Sequence, residues 1–212
     1  TLNPSPQGGG TSSPAEKSFY LAVCDSTGHG VPGAFMSLLN ISFLNEAINE
    51  KGIEAPNEVF NHVRKRLIEN VSHEGAQDGM DATLIKFQAL NSKFQIEYAA
   101  AHHSPVVIRN GKCIDLPFDK MPIGKGESTA NFKLYTFELE KGDMLYLYTD
   151  GYADQFGGPK GKKFKESNLK NLFLDIHARS SGQQRDYLLN ELMSWMQGHE
   201  QIDDVCIVGI KF

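Results

Sequence analysis

Phe19-Tyr20-Leu21-Ala22-Val23-Cys24-Asp25-Ser26-Thr27-Gly28-His29-Gly30-Val31-Pro32-Gly33-Ala34 is the stretch that decides the reading of this chain. Its first six residues form a continuous apolar run, the pattern of a strand buried on both faces. Asp25 ends the run. Gly28 and Gly30 then supply the backbone freedom of a turn, and Pro32 stands near the first position of a helix, where its missing N–H is tolerated. The junction therefore holds a carboxylate at a strand end, with the backbone of Ser26 to Gly30 open to a ligand. A turn or capping role for Asp25 explains the same residues, so this junction alone leaves its chemistry open.

Two further junctions repeat the arrangement. The apolar run Met144-Leu145-Tyr146-Leu147-Tyr148-Thr149 ends in Asp150-Gly151, and a closing strand over Asp204–Ile210 opens on the pair Asp203-Asp204. Three strands distant in sequence each carry an Asp at one end, which is how a sheet scaffold gathers oxygen ligands for a hard divalent cation. Carboxylates brought together away from water repel one another, and a cation neutralises them.

These segments occur in order with Asp78-Gly79-Met80-Asp81-Ala82-Thr83-Leu84, Ala99-Ala100-Ala101-His102-His103-Ser104-Pro105 and Met121-Pro122-Ile123-Gly124. The ordered set resembles the SpoIIE/RsbU-type serine phosphatases, a bacterial branch of the metal-dependent type 2C protein phosphatases, over roughly residues 18 to 212. The resemblance implies an α+β fold with α-β-β-α layering, two mainly antiparallel sheets flanked by helices. It implies that Asp25 bridges two divalent cations, Mn²⁺ or Mg²⁺, that the Ser26 carbonyl adds a ligand, and that Asp150 and Asp203 complete the side-chain set. Asp204 ranks below Asp203. Asp81, Thr83 and Gly151 are expected beside these ligands as their support.

The same resemblance implies hydrolysis of phosphoserine on a small STAS-type, anti-anti-sigma-like regulator, gated by an N-terminal sensor domain, with a homodimer as a further expectation. His29 is the candidate proton donor by proximity and by its titration range. It follows Asp25 by four residues where many type 2C enzymes have a histidine after two, and a histidine that orders the turn is the first-ranked alternative. Two departures stand out: His102 replaces the glycine of an Ala-Gly-His-Asn-Pro pattern, and the upstream Gly-Asp-aromatic-aromatic strand of the branch is missing. A pseudophosphatase or interaction module is the second reading of the chain. A zinc hydrolase built on His29, His102 and His103 lacks helical histidine spacing.

Composition narrows the field. A chain of 212 residues buries one full core, and 40% hydrophobic with 22% charged residues is a globular balance. A formal net charge of -5 argues against broad attraction to nucleic acid or anionic membrane. Cys24, Cys113 and Cys206 are an odd set without metal-type spacing, read as buried fillers in a reducing compartment, hence a cytoplasmic protein. No apolar stretch is read as approaching the ~20 residues that span a bilayer, so no direct membrane insertion is expected.

Along the chain, residues 1–16 read as a linker or long hairpin loop and 17–212 as a single phosphatase domain lacking its upstream strand. An apolar helix over Gly33–Glu50 precedes an amphipathic one carrying Val59, Phe60, Val63 and Leu67, with Arg64, Lys65 and Arg66 on its solvent side. Strands are expected at Asp81–Phe87, Phe94–Ala101, Pro105–Arg109, Cys113–Leu116 and Asn131–Leu139, with Asn110-Gly111 as a hairpin turn. Helices follow near Lys165–His177 and Gln183–Gln197, and Lys160–Lys165 reads as a solvated loop.

Overall fold

A computed structural model of the chain describes residues 19–28, 30–70, 79–90, 93–128 and 130–212. The expected linker at 1–16, His29 and Asp78 lie outside the described residues. In chain order the elements are β1 (Phe19–Ser26), α1 (Gly30–Asn45) running into a π-helical turn (Glu46–Glu50), α2 (Pro56–Asn70), β2 (Gly79–Leu90), β3 (Lys93–Ala101), β4 (Val106–Arg109) and β5 (Lys112–Asp115). There follow β6 (Ile123–Gly124), β7 (Tyr135–Leu139), β8 (Met144–Tyr148), α3 (Gly151–Asp154), β9 (Phe156–Gly157), β10 (Lys162–Lys163), α4 (Glu166–Ile176), α5 (Ser181–Met196) and β11 (Ile207–Lys211).

Two antiparallel sheets carry the fold. The first runs β1-β2-β3-β7, with β6 also paired to β2, and the second runs β11-β8-β4-β5. The period of two along each strand separates three cores. On β2 and β3, Ala82, Leu84, Ala99 and Ala101 face Val59, Phe60, Val63 and Leu67 of α2 and Met36, Phe43 and Leu44 of α1. The alternate residues Ile85, Ile96, Tyr98 and Ala100 face Val107, Leu145 and Leu147 of the second sheet. On the far side, Val106, Ile108, Met144, Tyr146 and Tyr148 meet Leu169, Phe173 and Ile176 of α4 and Leu188 and Leu192 of α5. Helix, sheet, sheet and helix are thus stacked in the expected α-β-β-α order.

The hairpin at Asn110-Gly111 forms as expected, with φ of 51° and 70° at the two positions. Several boundaries move, each because a side chain captures backbone that a strand or loop would otherwise use. β11 starts at Ile207 rather than Asp204: Thr149 Oγ1 donates to the Asp204 carbonyl at 3.0 Å and accepts from the Cys206 N–H at 3.0 Å. The strand expected over Asn131–Leu139 shrinks to β7, because the Phe132 N–H donates to Asn61 Oδ1 at 3.0 Å and the Lys133 N–H to Asp119 Oδ2 at 2.9 Å. α5 begins at Ser181, where Ser180 and Gln183 form a capping box. Within the basic run, Lys162 and Lys163 pair with β9 as a short hairpin rather than a free loop.

Burial corrects three expectations. Arg64 lies inside, at 9% exposure, with its guanidinium 4.9 Å from the Phe132 ring centroid, and Arg66 covers Phe43 while its Nε donates to Glu46 Oε2 at 3.1 Å. Flat guanidinium groups stack on rings more readily than an ammonium does; only Lys65 of the three keeps the solvent position. The cysteines are not fully buried fillers, since Cys24 and Cys113 are half-buried and Cys206 is exposed. Gly30–Glu50, finally, is long and apolar enough to cross a membrane by length and composition alone. It is apolar on both sides, because Met36, Phe43 and Leu44 enter the core while Val31, Phe35, Leu38 and Ile41 face outward.

Phe173 is fully buried and stacks on Tyr146 with ring centroids 4.1 Å apart. Phe173→Ala should lower the unfolding free energy by about 3–5 kcal/mol, the range for emptying an aromatic core site. Denaturant titration followed by circular dichroism measures it, and a loss below ~1 kcal/mol would contradict the packing described.

Candidate metal centre

Asp25, Asp150 and Asp203 each present a carboxylate oxygen, and these oxygens lie within 4.8 Å of one another. Three separate pieces of chain deliver them. On β1, Val23 faces the space between the sheets, so Asp25, two residues on, lies on that same face. Asp81 is its cross-strand neighbour on β2. Asp150 follows β8 at the N-cap position of α3, yet its side chain makes no capping hydrogen bond. Antiparallel pairing of β8 with β11 sets Tyr148 opposite Ile207, which brings the residues just before β11 to the same end of the sandwich. There the Asp204 N–H donates to Asp203 Oδ1 at 2.8 Å, and Gln201 Nε2 donates to the Asp203 carbonyl at 2.8 Å, turning the Asp203 carboxylate inward.

Close backbone approach makes this convergence possible. A Cβ on Gly151 would stand 2.3 Å from the Asp204 carbonyl oxygen, so no larger residue lets the start of α3 touch the turn that carries Asp203. A Cβ on Gly33 would likewise stand 2.5 Å from the Gly28 carbonyl, fixing the first turn of α1 against the end of β1. Asn40, 1% exposed, reinforces that contact by donating from Nδ2 to Ser26 Oγ at 2.9 Å. Between these parts lies a cavity of about 290 Å³ lined by Asp25, Ser26, Gly28, Ser37, Thr149 and Asp204, among others.

The electrostatics match the geometry. Burial, followed by the charges of Asp203, Asp150, Asp81 and Asp204, pushes the Asp25 carboxyl up to about 7. Asp150 is also raised, by burial first, against the opposing influence of His103. A site that makes its own carboxylates costly to ionise is one in which a cation offsets both the repulsion and the lost hydration. An all-oxygen donor set of this kind fits Mg²⁺ or Mn²⁺ and gives no soft ligand for zinc.

Of the residues anticipated from sequence, Asp25, Asp150 and Asp203 come together, with Ser26 at the end of the same strand. Asp204 falls outside the three-oxygen group and contributes its backbone to Thr149 and its charge to the field on Asp25. Asp81 adjoins the group. Thr83 lies on the same face of β2 two residues further from it, buried opposite Val23. The contact of His102 and His103 with the aspartates is the part that sequence reasoning did not anticipate. His102 Nδ1 lies 2.8 Å from Asp81 Oδ1, while His103 Nε2 lies 3.6 Å from Asp81 Oδ2 and 4.0 Å from Asp150 Oδ2, buried without a hydrogen-bond partner. His102 adopts φ of 62°, the left-handed region in which glycine is at ease. The signal was present in the substitution of a histidine for the glycine of the related motif.

Removing one repelling carboxylate should stabilise the metal-free protein. In chelator, Asp25→Asn is expected to melt at or above the wild-type temperature, by roughly 2–4 °C per kcal/mol relieved. The rise in melting temperature that saturating Mn²⁺ gives the wild type should be lost. A variant that is both less stable without metal and still stabilised by Mn²⁺ would show that Asp25 serves packing instead.

Known proteins share this arrangement of elements. The SiaA-PP2C domain of Pseudomonas aeruginosa superposes with a TM-score of 0.79 at 25% identity, covering 92% of this chain and 80% of that one. The PP2C phosphatase domain with a regulatory-domain fragment of SpoIIE from Bacillus subtilis gives a TM-score of 0.67 at 20% identity, over 92% of this chain and 54% of that one. In sequence, the phosphoserine phosphatase RsbU of Bacillus subtilis (strain 168) is 24% identical over 199 residues, or 92% of this chain. The chain spans little more than half of that relative, 56% of its length. The family described as Stage II sporulation protein E (SpoIIE) matches residues 15–212. With its two-sheet sandwich and its three converging aspartates, the chain belongs to the SpoIIE family of PP2C-type phosphatases.

Proposed function

We propose that residues 17–212 form a single protein serine phosphatase domain that hydrolyses phosphoserine on a small regulatory protein of STAS type. The observation that carries this reading is the convergence of Asp25, Asp150 and Asp203 oxygens within 4.8 Å at one end of the sandwich. Those carboxylates and the Ser26 carbonyl would hold two divalent cations, Mn²⁺ or Mg²⁺. When bound, such a pair supplies a water of lowered pKa as nucleophile for in-line displacement at phosphorus. Asp81 supports the ligands from the neighbouring strand while His102 orients its carboxylate. His29, four residues after Asp25 in sequence, is the proposed proton donor to the leaving serine alkoxide. We place the domain in the cytoplasm, where thiols such as Cys206 stay reduced.

Turnover of a phosphoserine peptide and of an aryl phosphate, with Mn²⁺ and with chelator, tests the assignment. Asp25→Asn should abolish both activities, by at least ~10³-fold. His29→Gln should slow only the peptide, because an aryl oxide leaves without a proton; equal loss on both substrates would assign His29 to ordering the turn. A folded protein that binds Mn²⁺ without turnover in either assay would point to a gated or incomplete catalytic domain, and absence of Mn²⁺ binding as well would favour the interaction-module reading.

Regulation would enter through α1. Val31, Phe35, Leu38 and Ile41 are 70%, 63%, 65% and 57% exposed and recur at helical spacing on one face. Phe35 thus points to solvent, and Met36 and Phe43 hold the helix to the core instead. The chain spans little more than half of RsbU, and we propose that a sensor region elsewhere in the full-length protein covers this stripe. A change there reaches the carboxylates through Gly33 on Gly28 and Asn40 on Ser26. Leu38→Asp should leave the fold and Mn²⁺ affinity of this chain intact and uncouple the full-length protein from its sensor. If it instead dissociates a dimer of the isolated chain, a second copy is the occupant.

A further inference from the structure

A second charged site lies on the outer side of the first sheet, between α2 and the loop that follows β6. The surface opens there into a groove of about 620 Å³. Its lining includes Asn61, Arg64, Lys65 and Glu69 of α2 and Lys125 and Ser128 of the loop. Two of its donor groups lack an oxygen acceptor among the described residues. Arg64 is the most buried arginine of the described residues, at 9% exposure. Its polar contact is from Nη1 to Met121 Sδ at 3.6 Å, and its flat face rests on Phe132. No carboxylate of the described residues pairs with it, whereas the half-buried Arg66 and Arg109 have Glu46 and Asp143. Desolvation pulls the Arg64 guanidinium below its ordinary value, the mark of a buried cation without a counter-charge.

Asn61 supplies the second. Its Oδ1 accepts from the Phe132 N–H at 3.0 Å, which fixes the amide orientation, and its Nδ2 is then buried with no partner among the described residues. A buried donor left without an acceptor is costly, and here the orphaned Asn61 amide shares one wall with a guanidinium whose partners among the described residues are a sulfur and a ring, with no oxygen. Ser128 Oγ accepts from the Ala130 N–H at 3.3 Å, which leaves its hydroxyl hydrogen free to donate. At the rim, Lys65 and Lys125 are exposed, and the acidic lining residue Glu69 stands 3.8 Å from Lys65. Three cations against one carboxylate leave an excess of two positive charges, the complement of a phosphate dianion.

We infer that this groove is a phosphate-binding site, separate from the aspartate cluster, in which Arg64, Asn61, Ser128 and Lys125 donate to the oxygens of one phosphate group. The group belongs either to free phosphate or to a phosphorylated side chain of a protein bound to this face. Its position has a consequence: Gly124 at the edge of the groove pairs with Gly79 of β2, two residues before Asp81. Occupation of the groove therefore bears on the strand end that adjoins the aspartate cluster.

The test is titration of the chain, metal-free in chelator, with inorganic phosphate and separately with a phosphoserine peptide, by calorimetry. Without cations the aspartate cluster repels anions, so any binding reports the groove. Asp25→Asn should bind as the wild type does, which separates this site from the proposed catalytic one. Arg64→Met keeps the stem against Phe132 while removing the charge, and should weaken binding at least ~10-fold, the loss of a charge-assisted hydrogen bond. Asn61→Asp retains the acceptor for Phe132 and should weaken it similarly. Lys125→Ala, at an exposed position, gives a smaller loss without risk to folding. Binding of free phosphate identifies the small anion as ligand, and binding of the peptide alone, weakened by the same variants, identifies a phosphoprotein. Binding of neither by the wild type, or affinity unchanged in Arg64→Met and Lys125→Ala, overturns the assignment.

Discussion

Mutual repulsion among Asp25, Asp150 and Asp203 is the constraint on which the rest of the structure turns. Bringing three carboxylates within 4.8 Å opposes folding in the metal-free chain, as the rise of the Asp25 carboxyl to about 7 expresses. A flexible loop would relax such a cluster by moving apart. Here the three positions do not, because Asp25 lies in the β1–β2 ladder, while Gly151 packed on the Asp204 carbonyl and Thr149 bonded to Asp204 and Cys206 tie down the turns that carry Asp150 and Asp203. The sandwich is in this sense the device that holds unfavourable charges in place until a cation offsets them.

The layers divide that labour. The core between the sheets sets their separation, with Tyr98 stacked on Tyr135 at 5.4 Å and Leu145 and Leu147 packed opposite. The helical layers pin the ends that carry function. α1 is locked to β1 by Gly33 against Gly28 and by Asn40 on Ser26, while α3 is locked to the Asp203 turn by Gly151. Thr149 completes the second junction by bonding both Asp204 and Cys206, which stops β11 short and frees the aspartates before it. Small residues and side-chain-to-backbone hydrogen bonds, rather than large apolar contacts, determine where the carboxylates lie.

The polar surface is uneven in the same spirit. Buried arginines elsewhere have carboxylates, as Arg109 does in Asp143, itself 1% exposed. Arg64 does not, and its neighbour Asn61 holds an unpartnered amide beside it. An orphaned amide beside a guanidinium without a counter-charge in one groove, and crowded carboxylates at one end of the sandwich, are opposite kinds of frustration. Both mark places where a ligand of the other charge completes the structure.

The sequence by itself determined the strands of the sandwich and the principal carboxylates, while the α-β-β-α layering came from the family resemblance. Period-two strands and an Asp closing each apolar run are local patterns, so Asp25, Asp150 and the Asp203-Asp204 pair were legible before any contact was known. The preference for Asp203 over Asp204 came from family resemblance, and the turn geometry supports it: Asp203 Oδ1 accepts from the following N–H and stays inside the group. Three things were decided only by tertiary structure. Arg64 turned inward because Phe132, 68 positions away by number, offered a ring, and a helical period counts only its own face. The strand boundaries at Tyr135 and Ile207 moved because Asn61, Asp119 and Thr149 captured distant backbone groups. His102 and His103 reached Asp81 because β3 pairs antiparallel with β2, setting Ala101 beside Ala82, and His103 reached Asp150 because the second sheet ends at the same place, approaches that no local pattern encodes.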